Sequence, residues 1–225
     1  MISVKDQQKL LIQIANTLQK EITVYAVGGT AMMFLGLKEA TLDIDIVFND
    51  KKDREAFKKA AKSLGYKELD SVIIYGIKSN KPEMLNLGDS RLDLFLTEVI
   101  DFIFSDSMKK RAGQVHQFGD NLILKIADVH DIIVMKCATK RAKDEEDIVK
   151  LVKTHPINWN ILVEEAKNQV SLGKEAAILQ LGTLLEKLRN KHKVNIPKDF
   201  LDKLWNLMKE QAEDKLSKEK INFQV

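Results

Sequence analysis

The sequence predicts an α/β (α+β) protein in two parts, a mixed α/β domain over residues 1–125 and a helical domain over residues 126–225. Three observations lead there. Short β-branched and aromatic runs alternate with helix-periodic segments through the first half. Beyond residue 125 only helical periodicity remains, without a repeat or a low-complexity linker. A length of 225 residues, with 44% hydrophobic and 31% charged side chains, is enough to build a substantial core and argues against disorder.

The elements follow in order. Leu10, Leu11, Ile14 and Leu18 recur at helical spacing, so residues 4–19 are expected to open the chain as an amphipathic helix. Ile-Thr-Val-Tyr-Ala-Val at 22–27 reads as a buried strand, which Gly28-Gly29 breaks. A short helix is expected over Thr30–Leu37, then an alternating strand over 42–48. A helix fits 52–64, with Phe57, Ala60, Ala61 and Leu64 on one side and Gly65 as its stop. Strands are expected at 71–77, 83–87, 91–96 and 121–125. The helical half divides into 128–140, 144–153, 158–170, 174–191 and 197–216. The fourth of these carries Ala177, Leu181, Leu184 and Leu188 as a packing stripe, and the fifth carries Phe200, Leu204, Leu207, Met208 and Gln211.

Composition narrows the function classes. Lys plus Arg number 36 against 33 Asp plus Glu, a near balance that neither demands nor excludes a nucleic-acid partner. Cys137 is the only cysteine, so an internal disulfide is ruled out, and its apolar-periodic setting reads as a small buried hydrophobe. The first residues carry no apolar signal core, and no apolar run approaches the length of a membrane span, so the expected location is the cytoplasm without a membrane partner.

Chemistry concentrates in two places. A strand that ends in Gly28-Gly29 and opens a helix presents bare backbone N–H groups at a helix N-terminus, where phosphate is favoured. Thr30 adds a hydroxyl that could donate to the same anion. Taken alone, the same glycines read more readily as ordinary turn chemistry. Asp43 and Asp45 stand two apart on the predicted 42–48 strand and project from one face, with Leu42, Ile44 and Ile46 on the other. Paired carboxylates repel unless a cation sits between them, and aspartate is a poor strand former. A divalent metal site explains that cost; a solvated edge strand is the alternative. Asp93, embedded in Leu92-Asp93-Leu94-Phe95-Leu96, favours the metal site, because a strand beside 42–48 would bring three carboxylates together. All-oxygen ligands of this kind suit Mg²⁺ or Mn²⁺ with substrate phosphates completing the shell. The second place is Lys136, Lys140, Arg141, Lys143, Asp144 and Asp147. Lys136 interrupts the apolar run 132–135 and could reach phosphates as a point charge. A solvated charged face, with Lys143 pairing Asp147, explains the same residues.

These motifs resemble the nucleotidyltransferase superfamily that includes DNA polymerase beta. Its pattern is an apolar residue, Gly, then Gly or Ser, a spacer, Asp-apolar-Asp, and a third acid on a later strand. Val27, Gly28, Gly29, Asp43, Asp45 and Asp93 fit it residue by residue. Val-Gly-Gly-Thr-Ala at 27–31 and Thr-Leu-Asp-Ile-Asp at 41–45, with the later Lys136 and Lys143-Asp144-x-x-Asp147 segments, look most like the AbiEii-type toxins and related nucleotidyltransferase-like proteins. That group often carries an arginine shortly before its Thr-x-Asp-x-Asp segment, where this chain has Lys38-Glu39-Ala40. The resemblance implies a mixed β-sheet flanked by helices, followed by a C-terminal helical bundle. It implies transfer of a nucleoside monophosphate from a nucleoside triphosphate to a hydroxyl with release of pyrophosphate. Asp43, Asp45 and Asp93 would bind Mg²⁺ or Mn²⁺, and Asp93 would assist deprotonation of the acceptor. Gly28, Gly29, Thr30, Lys136, Lys143 and Asp144 would hold the nucleotide. The acceptor would be RNA, such as the 3′ end of tRNA, or a protein side chain, and in a toxin setting an antitoxin protein would be a partner. The basic stretch Lys215, Lys218 and Lys220 would then touch RNA phosphates or be an ordinary solvated helix end. The same fold without catalysis, as a nucleotide-binding or interaction module, and a phosphohydrolase using the same acids are the other readings.

Overall fold

The computed structural model describes residues 1–77, 80–137 and 141–222, with side chains described through Glu213 and at Leu216 and Ser217. Lys140 and the side chains of Lys215, Lys218 and Lys220, singled out above, lie outside the described residues. The chain divides into two compact units, Met1–Ile132 and Ile133–Val225. No helix among the described residues is long and apolar enough to cross a membrane.

The first unit opens with a two-residue strand β1 (Ile2–Ser3) and helix α1 (Val4–Ala15). Ser3 caps α1, accepting from the Asp6 amide while Asp6 reaches back to the Ser3 amide, so two amides at the helix start are satisfied reciprocally. Strand β2 (Ile22–Ala26) leads into the short helix α2 (Gly28–Phe34), then β3 (Ala40–Thr41) and β4 (Asp43–Phe48). Helix α3 (Lys51–Ser63) begins at Asp50, whose carboxylate accepts from the Asp53 amide at 2.9 Å, and stops before Gly65 at φ +97°. Next come β5 (Lys67–Leu69), the one-turn helix α4 (Val72–Tyr75), β6 (Glu83–Leu87), β7 (Ser90–Leu96), β8 (Glu98–Val99) and β9 (Phe102–Ile103). Helix α5 (Asp106–Arg111), the hairpin β10 (Gln114–Phe118) and β11 (Leu122–Ile126), and the start of α6 (Val129–Cys137) complete it.

The main sheet runs β10-β11-β2-β4-β7-β6-β5, with β8 and β9 appended at β7. It is mixed: β11 with β2 and β4 with β7 are parallel, while β2 with β4 and β6 with β7 are antiparallel. The central strands are covered on both faces, which is why consecutive residues such as Ile46, Val47 and Phe48, or Leu94 and Phe95, are all buried.

The expected strand at 71–77 is instead α4 with the residues after it. The β-branched run suggested a strand, but Lys67–Leu69 already pairs with β6 as the sheet's edge. The Asp70 carboxylate then accepts from the Val72 amide at 2.9 Å and starts a turn, a local alternative to the ladder. Leu42, expected on the strand face opposite the acids, precedes β4 and is exposed, while Ile44 and Ile46 of that face are fully buried. The edge strand β10 was missed.

The second unit holds the rest of α6 and then α7 (Ala142–Thr154), α8 (Trp159–Ser171), α9 (Glu175–His192) and α10 (Lys198–Asn222). Its core is the expected stripe: Ala177, Leu181, Leu184 and Leu188 of α9 are buried with Phe200, Leu201 and Leu204 of α10. Trp159 of α8 packs its ring on Phe200 with centroids 4.9 Å apart. Cys137 is fully buried, and burial holds its thiol far above its ordinary value, which makes it inert.

Candidate active site

The parallel pairing of β4 and β7 puts Asp45 opposite Asp93 and Asp43 opposite Arg91. All four side chains therefore leave the sheet on the same face. Asp43, Asp45 and Asp93 each offer an oxygen, and these three atoms lie within 4.8 Å of one another. Asp93 is fully buried, Asp43 nearly so and Asp45 half-buried. Three carboxylates at that separation in a buried setting repel strongly, so the cluster demands positive charge. Hard oxygen donors alone, without His or Cys, fit Mg²⁺ or Mn²⁺ better than a softer metal.

Local chain geometry holds the cluster in place. Gly28 has φ +55°, and a Cβ there would fall 2.8 Å from the Asp45 carboxylate. A Cβ on Gly29 would fall 2.7 Å from the Thr41 hydroxyl. The two glycines thus let the start of α2 lie directly against β3 and β4, a packing demand that stands beside any role in phosphate approach. The Val27 amide donates to the Asp45 carbonyl at 3.2 Å and fixes the same junction. Thr41 donates its hydroxyl to Asp43 Oδ1 at 3.1 Å.

Thr30 was the expected hydroxyl donor to the phosphate. It is fully buried, and its Oγ accepts the Asp45 amide at 2.8 Å. A hydroxyl buried in that way ties α2 to β4.

Two residues of the cluster were not anticipated. Arg91 donates from Nε to Asp93 Oδ1 at 2.8 Å, from Nη2 to Asp93 Oδ2 at 3.1 Å, and from Nη2 to Asp43 Oδ2. Tyr75, delivered by α4, donates its hydroxyl to Asp93 Oδ2 at 2.6 Å. Burial pushes the Asp93 carboxyl above its ordinary value and outweighs the opposing pull of Tyr75 and Arg91. Burial, with Asp45 and Asp93 nearby, raises the Tyr75 phenol well above its usual range, so it stays a donor. Burial works against the Arg91 charge, but Asp93 and Asp43 more than offset it.

The second predicted cluster lies in the helical unit. Lys136 is buried, and its Nζ donates to Asp144 Oδ1 at 2.7 Å and to Asp147 Oδ2 at 2.6 Å. Asp144 also accepts from Arg141 Nε at 2.6 Å. Lys136 and Asp144, expected to serve a nucleotide, neutralise one another together with Asp147 across the α6–α7 junction. Asp147 pairs with Lys136 in place of the suggested Lys143, which is exposed.

Comparison with known proteins adds the following. No curated protein matches the sequence. Two solved structures of the antibiotic-resistance factor ANT(2'')-Ia are similar to the chain. One is a crystal structure in complex with adenylyl-2''-tobramycin, 14% identical with a TM-score of 0.45 over 80% of this chain and 98% of that one. The other is a solution structure, 14% identical with a TM-score of 0.45 over 84% and 94% respectively. The sequence match is more telling: residues 1–179, which contain the whole carboxylate cluster and its glycine turn, fit the family described as "Nucleotidyltransferase of unknown function (DUF6036)", and the chain belongs to that family.

Proposed function

We propose that this protein transfers a nucleoside monophosphate from a nucleoside triphosphate to a hydroxyl acceptor. The observation that carries this reading is the convergence of Asp43, Asp45 and Asp93 within 4.8 Å beside the Gly28–Gly29 turn in a chain of a nucleotidyltransferase family. The three carboxylates would hold Mg²⁺ or Mn²⁺, which when bound supplies charge neutralisation for the phosphates. The acceptor oxygen bonds to the α-phosphorus, the bond to the bridging oxygen of the β-phosphate breaks, and pyrophosphate leaves with its electron pair. The acceptor's proton passes to a carboxylate of the cluster or to water. Catalysis of this kind is mostly positioning and electrostatics, which suits acids anchored on adjacent strands. Asp93 accepts from Tyr75 and Arg91 on its two oxygens, and burial leaves it more basic than an ordinary carboxylate, so it suits taking up the acceptor's proton as well as facing the metal. Thr30 and Thr41 act by fixing the Asp45 backbone and the Asp43 carboxylate. Gly28 and Gly29 leave the approach to the cluster clear of side chains.

One observation favours a second reading, a nucleotide-binding module that does not turn over: Arg91 already neutralises two of the three acids. The test separates the two. The protein is incubated with each labelled nucleoside triphosphate, Mg²⁺ and total RNA or total protein. Labelled RNA or protein with pyrophosphate release is expected, and Asp43→Ala or Asp45→Ala should cut the rate at least about a hundredfold. Binding without any labelled product favours the module, and release of inorganic phosphate instead of pyrophosphate points to a phosphohydrolase. Transfer at wild-type rates by both variants overturns the mechanism.

A further inference from the structure

The cluster contains its own cation. Asp43 and Asp93 present four carboxylate oxygens, and every one has a donor. Thr41 serves Asp43 Oδ1, Arg91 serves Asp43 Oδ2 and Asp93 Oδ1, and Arg91 and Tyr75 share Asp93 Oδ2. Arg91 thus reaches three of the four, and its guanidinium bridges two acids that belong to different strands. Without it, two buried like charges would face each other across the β4–β7 pair and repel in a poorly solvated site. A divalent ion bound by the same acids would meet a unit positive charge a few ångströms away, so the two cations compete for one place. Arg91 can yield that place. It is the second residue of β7, at the strand's beginning, and its side chain is 18% exposed, so a long flexible stem has a route to solvent.

We propose that Arg91 is a resident counter-ion, holding Asp43 and Asp93 together when no divalent ion is bound and leaving them when one binds. This rests on the reading that the three acids form a metal site. The empty site then stays folded at the expense of metal affinity, because binding must first displace the guanidinium.

Isothermal titration of the full chain with Mn²⁺ alone, in wild type, Arg91→Met and Arg91→Lys, tests it, with thermal unfolding in chelator and in Mn²⁺ alongside. Arg91→Met should bind Mn²⁺ at least about fivefold more tightly than wild type, the low end of coupling between competing groups. It should melt lower than wild type in chelator and gain more from Mn²⁺. A variant that folds only in the presence of Mn²⁺ supports the proposal, since the ion then replaces the missing guanidinium. If Arg91→Met fails to fold in either condition, Arg91→Lys decides: a single ammonium bridges two acids less well than a guanidinium fork, so tighter Mn²⁺ binding is expected. Affinity equal to or weaker than wild type in the folded variants overturns the counter-ion role and leaves the metal site standing. No Mn²⁺ binding by any form overturns the metal site and the counter-ion role together.

Discussion

Gly28 is the residue where backbone conformation and the acidic cluster meet. Its φ of +55° is unfavourable for any side chain, and a Cβ would sit 2.8 Å from Asp45 Oδ2. Gly28→Ala is expected to cost at least about 1 kcal/mol from the left-handed backbone alone, with more from moving the Asp45 carboxylate. Urea unfolding measures the first effect and Mn²⁺ titration the second. Unchanged stability with unchanged Mn²⁺ affinity would refute this account of the turn. Asp93 was legible as a member of the acidic cluster because an ionisable group inside Leu-x-Leu-Phe-Leu has no packing reason to be there. Arg91 and Tyr75 were not legible. An arginine at the start of a strand looks like an ordinary solvated end, and its value depends on a register that puts it opposite Asp43.

Among elements, those with a strong period were read correctly. The helices from α6 onward lie close to their expected spans, and β2, β4, β6 and β7 appear within a residue or two of expectation. Elements governed by neighbours were not. Tyr75 reaches Asp93 only because 72–75 forms a helical turn, whereas β propensity argued for a strand. The edge strand β10 has Gln114, Val115 and Gln117 exposed, so its apolar period is too weak to stand out. The α6–α7 junction depends on a buried triad, with Lys136, Asp144 and Asp147 side chains 6%, 1% and 11% exposed. Lys136→Met would leave two acids without their shared cation and is expected to destabilise the fold by about 3–5 kcal/mol, read as a lower urea midpoint. A direct phosphate role predicts the opposite pattern, weaker nucleotide binding at unchanged stability.

At the scale of the molecule, the acidic cluster is a product of sheet topology. Asp43 and Asp45 lie on β4 and Asp93 on β7, nearly fifty residues later, and parallel pairing makes them neighbours. A cation held there bridges two central strands, so its effect should reach the sheet as a whole. Mn²⁺ at a hundred times its dissociation constant is expected to add about 2.7 kcal/mol of stability. Hydrogen exchange should show the added protection in peptides covering β4 and β7, and an unchanged exchange pattern at saturating Mn²⁺ would refute the site. The sequence alone determined the mixed α/β fold with its C-terminal helices, the buried periodic elements, the three acids and the family pattern they form, because hydrophobic period and misplaced charge are local properties written in consecutive residues. Only the tertiary structure decided which acids share a cation, that Arg91 already supplies one, and that Thr30 and Lys136 bond to Asp45, Asp144 and Asp147, because hydrogen bonds between distant segments follow from strand order and register, which no local pattern encodes.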